Sequence, residues 1–136
     1  MSDPVITDPA DQARQIAETF ASMSRTVDAY IREHLTELTP DQQDFLDDLI
    51  RQLDDTHDRF TAMAIQNTLD ALRDDLSEIA SVTGRAEQAL KHLARVAKVM
   101  KLAAGIAELC ADITTADYGA IPSALTNIVE ALPTGS

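Results

Sequence analysis

The sequence has little of what sheets, disulfides and thiolate metal sites require. It contains one cysteine, Cys110, no tryptophan and only four glycines, and aromatic residues make up 4% of its 136 positions. A single cysteine excludes an internal disulfide and a zinc site built from thiolates. The scarcity of turn-forming and aromatic residues argues against an all-β fold, because strands favour aromatic and β-branched side chains.

Long apolar segments and phosphate-binding loops are also missing. No window reaches the roughly 18 uninterrupted apolar residues that a membrane-spanning helix needs. Residues 1–11 have neither a basic region nor an apolar core, so they do not resemble a secretory signal. The glycines are isolated, which excludes a glycine-rich phosphate loop. Together with the single cysteine, these features predict a cytoplasmic protein without a cofactor.

Apolar residues, 45% of the chain, recur instead at the spacing of amphipathic helices. The first helix is predicted to begin after Asp8, which caps it, and to extend to about Leu38. The segment LTPDQQDFL then begins a second helix, in which Thr39 and Gln42 form a capping box. A short turn makes this second helix antiparallel to the first.

The second helix is predicted to be a long spine. Its apolar positions shift phase near Ala64 and then keep one phase to Ala107, so an unbroken helix from Pro40 to Ile113 is the alternative to a break near Gly84. Such a helix would be about 110 Å long and would need a partner chain, which favours the break. A third helix follows, and a short C-terminal helix, opened or kinked by Pro122, closes the core.

The fold class is therefore predicted to be all-α, an antiparallel bundle of about four helices. Residues 1–136 form a single domain, because a chain of this length suffices for one hydrophobic core. We expect residues 1–8 and 133–136 to be flexible termini.

Residues 93–113, LARVAKVMKLAAGIAELCADI, form the most apolar stretch. On a helical wheel they leave an apolar arc of about 220°, which is too wide for a helix with one neighbour. A helix packed among several others has such an arc, and so does a helix lying in a membrane interface. The longest stretch without a polar side chain is only residues 102–107, and anionic bilayers repel a chain of net charge −12. The sequence therefore favours a central core helix.

Charge is segregated along the chain. Residues 1–58 carry fourteen acidic and four basic side chains, whereas residues 84–113 carry five basic and three acidic ones. We call the basic residues at the start of the third helix the basic strip: Lys91, Arg95, Lys98 and Lys101. The helix macrodipole disfavours positive charge at that place, so we expect the strip to face an acidic surface, the richest of which lies in the same chain.

That surface lies on the second helix, opposite its apolar stripe. We call its aspartates the acidic face: Asp41, Asp44, Asp48, Asp55 and Asp58. One interpretation is a solvated helix surface, which rows of like charge usually are. The other is a docking face for a basic protein partner or for the basic strip of a second copy.

Candidates for catalysis are weak. Asp54 and His57 form one Asp-x-x-His pair, but a dimetal bundle needs two such motifs and further carboxylates, all pointing inward. Cys110 lies in the apolar arc of its helix, where a buried, unreactive thiol is expected. His34 and His57 continue or border apolar stripes and are interpreted as structural. The sequence therefore predicts no catalytic and no metal-binding residue.

The leading hypothesis is a non-enzymatic protein–protein interaction module, of the adaptor, inhibitor or immunity-type class, that uses the acidic face. An apolar stripe left partly uncovered on the spine adds the expectation of a homodimer or another stable complex. The alternatives are a membrane-active helical protein that exposes residues 93–113 and, less favoured, a bundle metalloprotein. Net negative charge and a basic strip without interleaved aromatics argue against nucleic-acid binding.

Overall fold

A computed structural model describes residues 8–66, 68–93 and 95–133. These residues form five α-helices and no strand, which confirms the all-α bundle. The helices are α1 (Pro9–Glu33), α2 (Pro40–Gln66), α3 (Leu76–His92), α4 (Val96–Thr114) and α5 (Ile121–Ala131), with short 3₁₀ turns at Asp70–Leu72 and Tyr118–Ala120. Of the termini expected to be flexible, residues 1–7 and 134–136 lie outside the described part of the chain.

The starts of α1 and α2 follow the predicted capping signals. The Asp8 carboxylate accepts a hydrogen bond from the Ala10 N–H at 3.1 Å. At the second start, the Thr39 hydroxyl accepts from the Gln42 N–H at 3.1 Å, and the Gln42 side chain accepts from the Thr39 N–H at 2.9 Å. This reciprocal pair is the capping box, and it satisfies backbone donors that a helix start leaves without partners.

The first helix ends five residues before the predicted position. Beyond Glu33 the chain turns, and the N–H groups of Glu37 and Leu38 both donate to the His34 carbonyl. The turn places Leu38 against the core at 8% exposure, directly before the capping box. Leu38 therefore contributes to the apolar pattern of the first helix without belonging to it.

The predicted long spine is wrong in its extent, because α2 ends at Gln66. The Thr68 N–H donates to the Met63 carbonyl at 3.0 Å, which closes the helix, and Ile65 is 73% exposed. Leu69 and Leu72 then turn into the core before α3 begins. The phase shift near Ala64 therefore marks a reversal of the chain, and a helix continuing past it would have left these leucines in solvent.

The break predicted near Gly84 is also wrong. Gly84 lies inside α3, where a Cβ atom would meet nothing within 4 Å. One glycine in a helix interior costs about 1 kcal/mol, which the buried apolar face of this helix offsets. The chain breaks instead after His92, where Leu93 and Arg95 adopt extended backbone conformations before α4.

The end of α4 is a backbone motif. The Asp117 N–H donates to the Asp112 carbonyl at 2.8 Å and the Ala116 N–H to the Ile113 carbonyl at 3.3 Å. Ala116 has a φ of 59°, the left-handed conformation that this Schellman-type arrangement requires. The predicted stop at TTADYG is confirmed, and Pro122 opens α5 in its first turn without kinking it.

The five helices alternate in direction and share one core. The C-terminal ends of α1 and α3 meet in a groove lined by Tyr30, His34 and Leu90, which makes these two helices parallel. The start of α4 lies beside the end of α5. Helix α1 packs most extensively on α2 and then on α3, whereas α4 packs on α5 and α2. The largest side chains of the first contact are Phe20 and Phe60, which stack with ring centroids 5.8 Å apart.

Candidate functional site

The acidic face lies on the solvent side of α2. Leu46, Leu49 and Leu53 are fully buried on the opposite side of the helix. The helical period therefore points the acidic face outward, and all five of its members are exposed: Asp41, Asp44, Asp48, Asp55 and Asp58. Asp47 and Asp54 flank the face and are exposed as well.

Most of this negative charge has no cation beside it. Arg51 pairs with Asp48 at 3.2 Å, and Gln52 donates to the second oxygen of the same carboxylate at 2.9 Å. His57 lies 3.0 Å from Asp58 through its Nδ1 atom and is half-buried. Along the described part of α2, Asp41, Asp44 and Asp55 make no ion pair within 4 Å. The face is therefore an exposed row of negative charge with one arginine in it.

The basic strip does not lie on one helix, in contrast to the prediction. Lys91 belongs to the last turn of α3, Arg95 precedes α4, and Lys98 and Lys101 lie in the first two turns of α4. All four side chains are exposed. The extended backbone at residues 93 and 95 interrupts the helical wheel on which the strip was placed. Lys91 therefore lines a groove with the end of α1, whereas Lys98 and Lys101 line another with the end of α5.

The strip and the acidic face are not joined within the chain. Among the described residues, every ion pair within 4 Å links side chains at most four positions apart, as in Arg14 with Asp11 or Arg73 with Asp70. No member of the basic strip takes part in one. Among the residues that the structure describes, the acidic face is therefore not in direct contact with the strip, and the acidic side chain in the groove of Lys98 and Lys101 is Glu130 of α5.

The charge order along α4 remains opposite to the preference of the helix macrodipole. Arg95 and Lys98 lie at its positive start, and its first turn holds no acidic residue. Asp112 lies at its negative end, where burial, then the charges of Asp117 and Glu108, raise the pKa of its carboxyl group. The stability of the helix therefore does not explain the basic residues at the start of α4 or the acidic residue at its end.

The large apolar side chains of residues 93–113 face the interior of the bundle, whereas Ala97, Ala104 and Ala111 of the predicted apolar arc are exposed. Leu102, Ile106 and Leu109 are fully buried, and α4 contacts α2, α3 and α5. The tightest approach is at Gly105, where a Cβ atom would lie 3.1 Å from Cγ1 of Ile128 in α5. These neighbours confirm a core helix. Among the described helices, none is long and apolar enough to cross a bilayer.

Cys110 is buried beside α2 and has the properties of a packed apolar side chain. Burial raises the pKa of its thiol to about 12, while Thr56 lowers it and Asp55 raises it further. The thiolate is the nucleophilic form of cysteine, so at neutral pH this side chain is unreactive. The expectation of a buried, unreactive thiol agrees with this environment.

The histidine positions offer no clustered chemistry. His34 stacks on Tyr30 with ring centroids 4.1 Å apart, and its Nδ1 lies 3.1 Å from the Tyr30 carbonyl oxygen. His57 contacts Asp58, its neighbour in sequence, whereas Asp54 is exposed. Within residues 8–66, 68–93 and 95–133, no three His, Cys, Asp or Glu side chains converge as a metal site would require.

Sequence reasoning missed the large apolar side chains that are exposed on the surface. Leu35 is 51% exposed in the turn before α2, Phe45 is 36% exposed beside Asp44, and Val129 is 39% exposed in the last turn of α5. Phe45 lies three positions after Gln42 and one before the buried Leu46, so its place beside the apolar stripe of α2 could be read from the sequence. Comparison with protein-family models, with curated proteins and with solved structures finds no match to this chain.

Proposed function

We propose that the protein is a non-enzymatic protein–protein interaction module whose acidic face binds a basic surface of a partner protein. The observation that carries the proposal is the outward row of aspartates on α2, largely without cations, on a helix whose other side is fully buried. A rigid helix holds these charges in a fixed arrangement, which favours recognition of one complementary surface.

Such a face acts mainly on the rate and selectivity of association. Exposed ion pairs are each worth about 1 kcal/mol or less, because water and salt screen them. A row of like charge nevertheless attracts an oppositely charged partner over a Debye length of about 8 Å at physiological salt. Phe45, at the edge of the face, supplies an apolar contact of the kind that holds a docked partner.

The proposal includes a cytoplasmic location. Its support is the single cysteine, which forms no internal disulfide and is buried at the α2–α4 contact. A fold that needs no disulfide is compatible with a reducing compartment.

The experiment compares proteins captured by the tagged chain from the cells that make it. The face variant carries Asp44→Asn, Asp48→Asn, Asp55→Asn and Asp58→Asn, which keep side-chain size and remove charge. The matched control carries the same change of charge on exposed residues away from the face: Glu18→Gln, Asp70→Asn, Asp74→Asn and Glu78→Gln. We expect partners with basic surfaces to bind the wild type and the control, and to be lost from the face variant.

Salt gives an independent reading of the same interaction. Partners that dock on the acidic face should dissociate as the salt concentration rises, because screening shortens the reach of each charge. Identical partner sets for all three proteins, at low and high salt alike, would show that the aspartates of α2 are only a solvated helix surface.

A further inference from the structure

A groove of about 340 Å³ runs between the C-terminal half of α1 and the end of α3. This volume lies within the range of small-molecule sites in proteins. Its apolar side is formed by Tyr30 and Leu90, which are buried, and by the half-buried Leu93. Its polar lining consists of Ser22, Arg25, Thr26, Glu33, His34 and Lys91.

The charged residues of the groove carry more positive than negative charge, in contrast to the chain as a whole. Arg25 and Lys91 are cationic and Glu33 is anionic, which gives a net charge of +1 in a chain of −12. Among the described residues, neither cation makes an ion pair within 4 Å. Exposed charges are often unpaired on a protein surface, so this balance alone does not identify a site.

The Tyr30 hydroxyl provides a second, independent observation. Tyr30 is 6% exposed, and its hydroxyl oxygen is buried without a hydrogen-bond partner in the described part of the chain. Buried hydroxyls normally have a partner, because desolvation without one costs free energy. The neighbouring His34 is engaged elsewhere, since its Nδ1 lies 3.1 Å from the Tyr30 carbonyl oxygen and its Nε2 lies 3.9 Å from the Glu37 carboxylate. A ligand in the groove would supply the missing partner.

The hydroxyl keeps its proton at neutral pH. Burial, and then the negative charge of Glu37, raise the pKa of Tyr30 above its ordinary value. A protonated phenol donates a hydrogen bond, and an ionised carboxylate is among the strongest acceptors of such a bond. A carboxylate is also the group that the planar guanidinium of Arg25 recognises best.

The apolar side of the groove favours an aromatic body. The rings of Tyr30 and His34 stack with centroids 4.1 Å apart and an interplanar angle of 21°. Leu90 and Leu93 line the same groove beside this pair. Aromatic rings pack favourably against surfaces of this composition.

From these observations we infer that the groove binds a small aromatic carboxylate. The Tyr30 hydroxyl donates to a carboxylate oxygen, and Arg25 and Lys91 balance its charge. The ring lies against His34 and Leu90. Because the two cations are exposed and make no ion pair, they can move aside to admit the ligand to the hydroxyl. The inference goes beyond the proposed function, since the acidic face lies on α2 and the groove lies between α1 and α3.

The test titrates the purified full chain with three probes that share one ring and differ in charge, namely benzoate, benzamide and benzylamine. Inorganic phosphate, an anion without an apolar body, is the fourth probe. Amide chemical shifts in an NMR titration measure the affinity and locate the site. We expect benzoate to bind with a dissociation constant on the order of 1 mM and to shift residues of α1 and α3. The other probes should bind at least about tenfold more weakly.

Tyr30→Phe separates binding from folding. Because the hydroxyl has no partner among the described residues, its removal should leave the melting temperature unchanged or higher. The same change should weaken benzoate binding about tenfold, through loss of a hydrogen bond to a charged group. Tyr118→Phe is the matched control, because it removes a hydroxyl that donates to Sδ of Met63 outside the groove. This control should bind benzoate as the wild type does.

A second pair of variants tests the cations. Arg25→Gln with Lys91→Gln should weaken benzoate binding about tenfold and leave the weak binding of benzamide unchanged, because the amide carries no charge. The control carries Arg14→Gln and Arg73→Gln, which remove the same charge from exposed residues outside the groove. This control should retain the affinity of the wild type for benzoate.

Each contrary outcome overturns the inference. Absence of benzoate binding to the wild type, equal binding of benzamide or benzylamine, or unchanged affinity in Tyr30→Phe would each show that the groove is not a carboxylate site. A marked fall in the melting temperature of Tyr30→Phe would show that the hydroxyl already has a partner within the chain, which removes the reason for a ligand.

Discussion

The first two helices and the last three differ in how their N-terminal starts are specified. Helices α1 and α2 each begin with side chains that hydrogen-bond to the backbone, Asp8 in one and the Thr39–Gln42 pair in the other. Helices α3, α4 and α5 begin without any side-chain cap. Their starts follow a 3₁₀ turn, an extended connection and a second 3₁₀ turn.

The difference shows where local chemistry suffices and where packing decides. A capping residue lowers the free energy of a helix start by about 1 kcal/mol wherever the start occurs. The uncapped helices instead gain their stability from burial of an apolar face, since α4 and α5 contribute fully buried residues such as Ile106 and Ile128. Four measurements test this difference between capped and uncapped helices.

The largest expected effect comes from Phe60→Ala, at the contact between the capped helices. The Phe60 ring is fully buried and stacks on Phe20. Its loss should lower the free energy of unfolding by about 3–5 kcal/mol, through lost burial and the remaining cavity. Urea unfolding followed by circular dichroism measures the change. The control is Phe45→Ala, at a 36% exposed site, where a loss above about 1 kcal/mol would contradict the assignment of the core.

The second effect is an alkaline loss of stability that originates in α4. Because the pKa of Cys110 is about 12 in the folded chain and about 9 when exposed, the folded state holds this proton more tightly. Its contribution to stability is complete below pH 9 and is lost as pH rises from 9 toward 12. At pH 10 the loss should be on the order of 1 kcal/mol relative to pH 8.

The Cys110→Ala variant provides the control for this titration. It creates a small cavity and lowers stability at every pH, but it should remove the part of the alkaline slope that belongs to the thiol. Tyr30 also has a raised pKa, caused by burial and then by Glu37, so some slope of the same sign should persist. Equal slopes in both proteins would contradict the burial of Cys110.

The third effect tests the local specification of α2 directly. Thr39→Ala removes the hydroxyl that accepts from the Gln42 N–H and should lower the free energy of unfolding by about 1 kcal/mol. The matched control is Thr126→Ala in α5, where the hydroxyl only donates to the Pro122 carbonyl within its own helix. In thermal unfolding, Thr39→Ala should lose more stability than Thr126→Ala. Equal losses would mean that the capping hydrogen bond itself contributes nothing to stability.

The smallest effect concerns the glycine that misled the prediction of a break. Gly84→Ala should raise stability by about 0.4–1 kcal/mol, because the helix is continuous there and a Cβ meets nothing within 4 Å. Gly105→Ala is the comparison, since its Cβ would lie 3.1 Å from Ile128 and the gain in helix propensity is offset by strain. A loss of stability in Gly84→Ala, measured by urea unfolding, would instead support a break in the helix at Gly84.

For the candidate surfaces, the sequence predicted which charged side chains are exposed better than it predicted how they are arranged in space. The five aspartates of the acidic face follow one helical period within α2, so periodicity was sufficient to place them outward. The four basic residues span two helices and an extended connection, and periodicity across a break has no meaning. Nor does a pattern along one helix indicate that Leu35 and Val129, far apart in sequence, lie near the same end of the bundle.

By itself, the sequence determined that the chain is all-α, where α1 and α2 begin, that α4 is a core helix and that the aspartates of α2 point outward. These properties depend on interactions within a few residues, which a helical period and a capping motif record directly. Only the tertiary structure decided where α2 and α3 end, that the chain reverses between Gln66 and Leu76, and that the basic strip is divided between two helices. These depend on which distant apolar faces bury one another, because leucines such as Leu69 and Leu72 are buried only when the helix stops and the chain turns back.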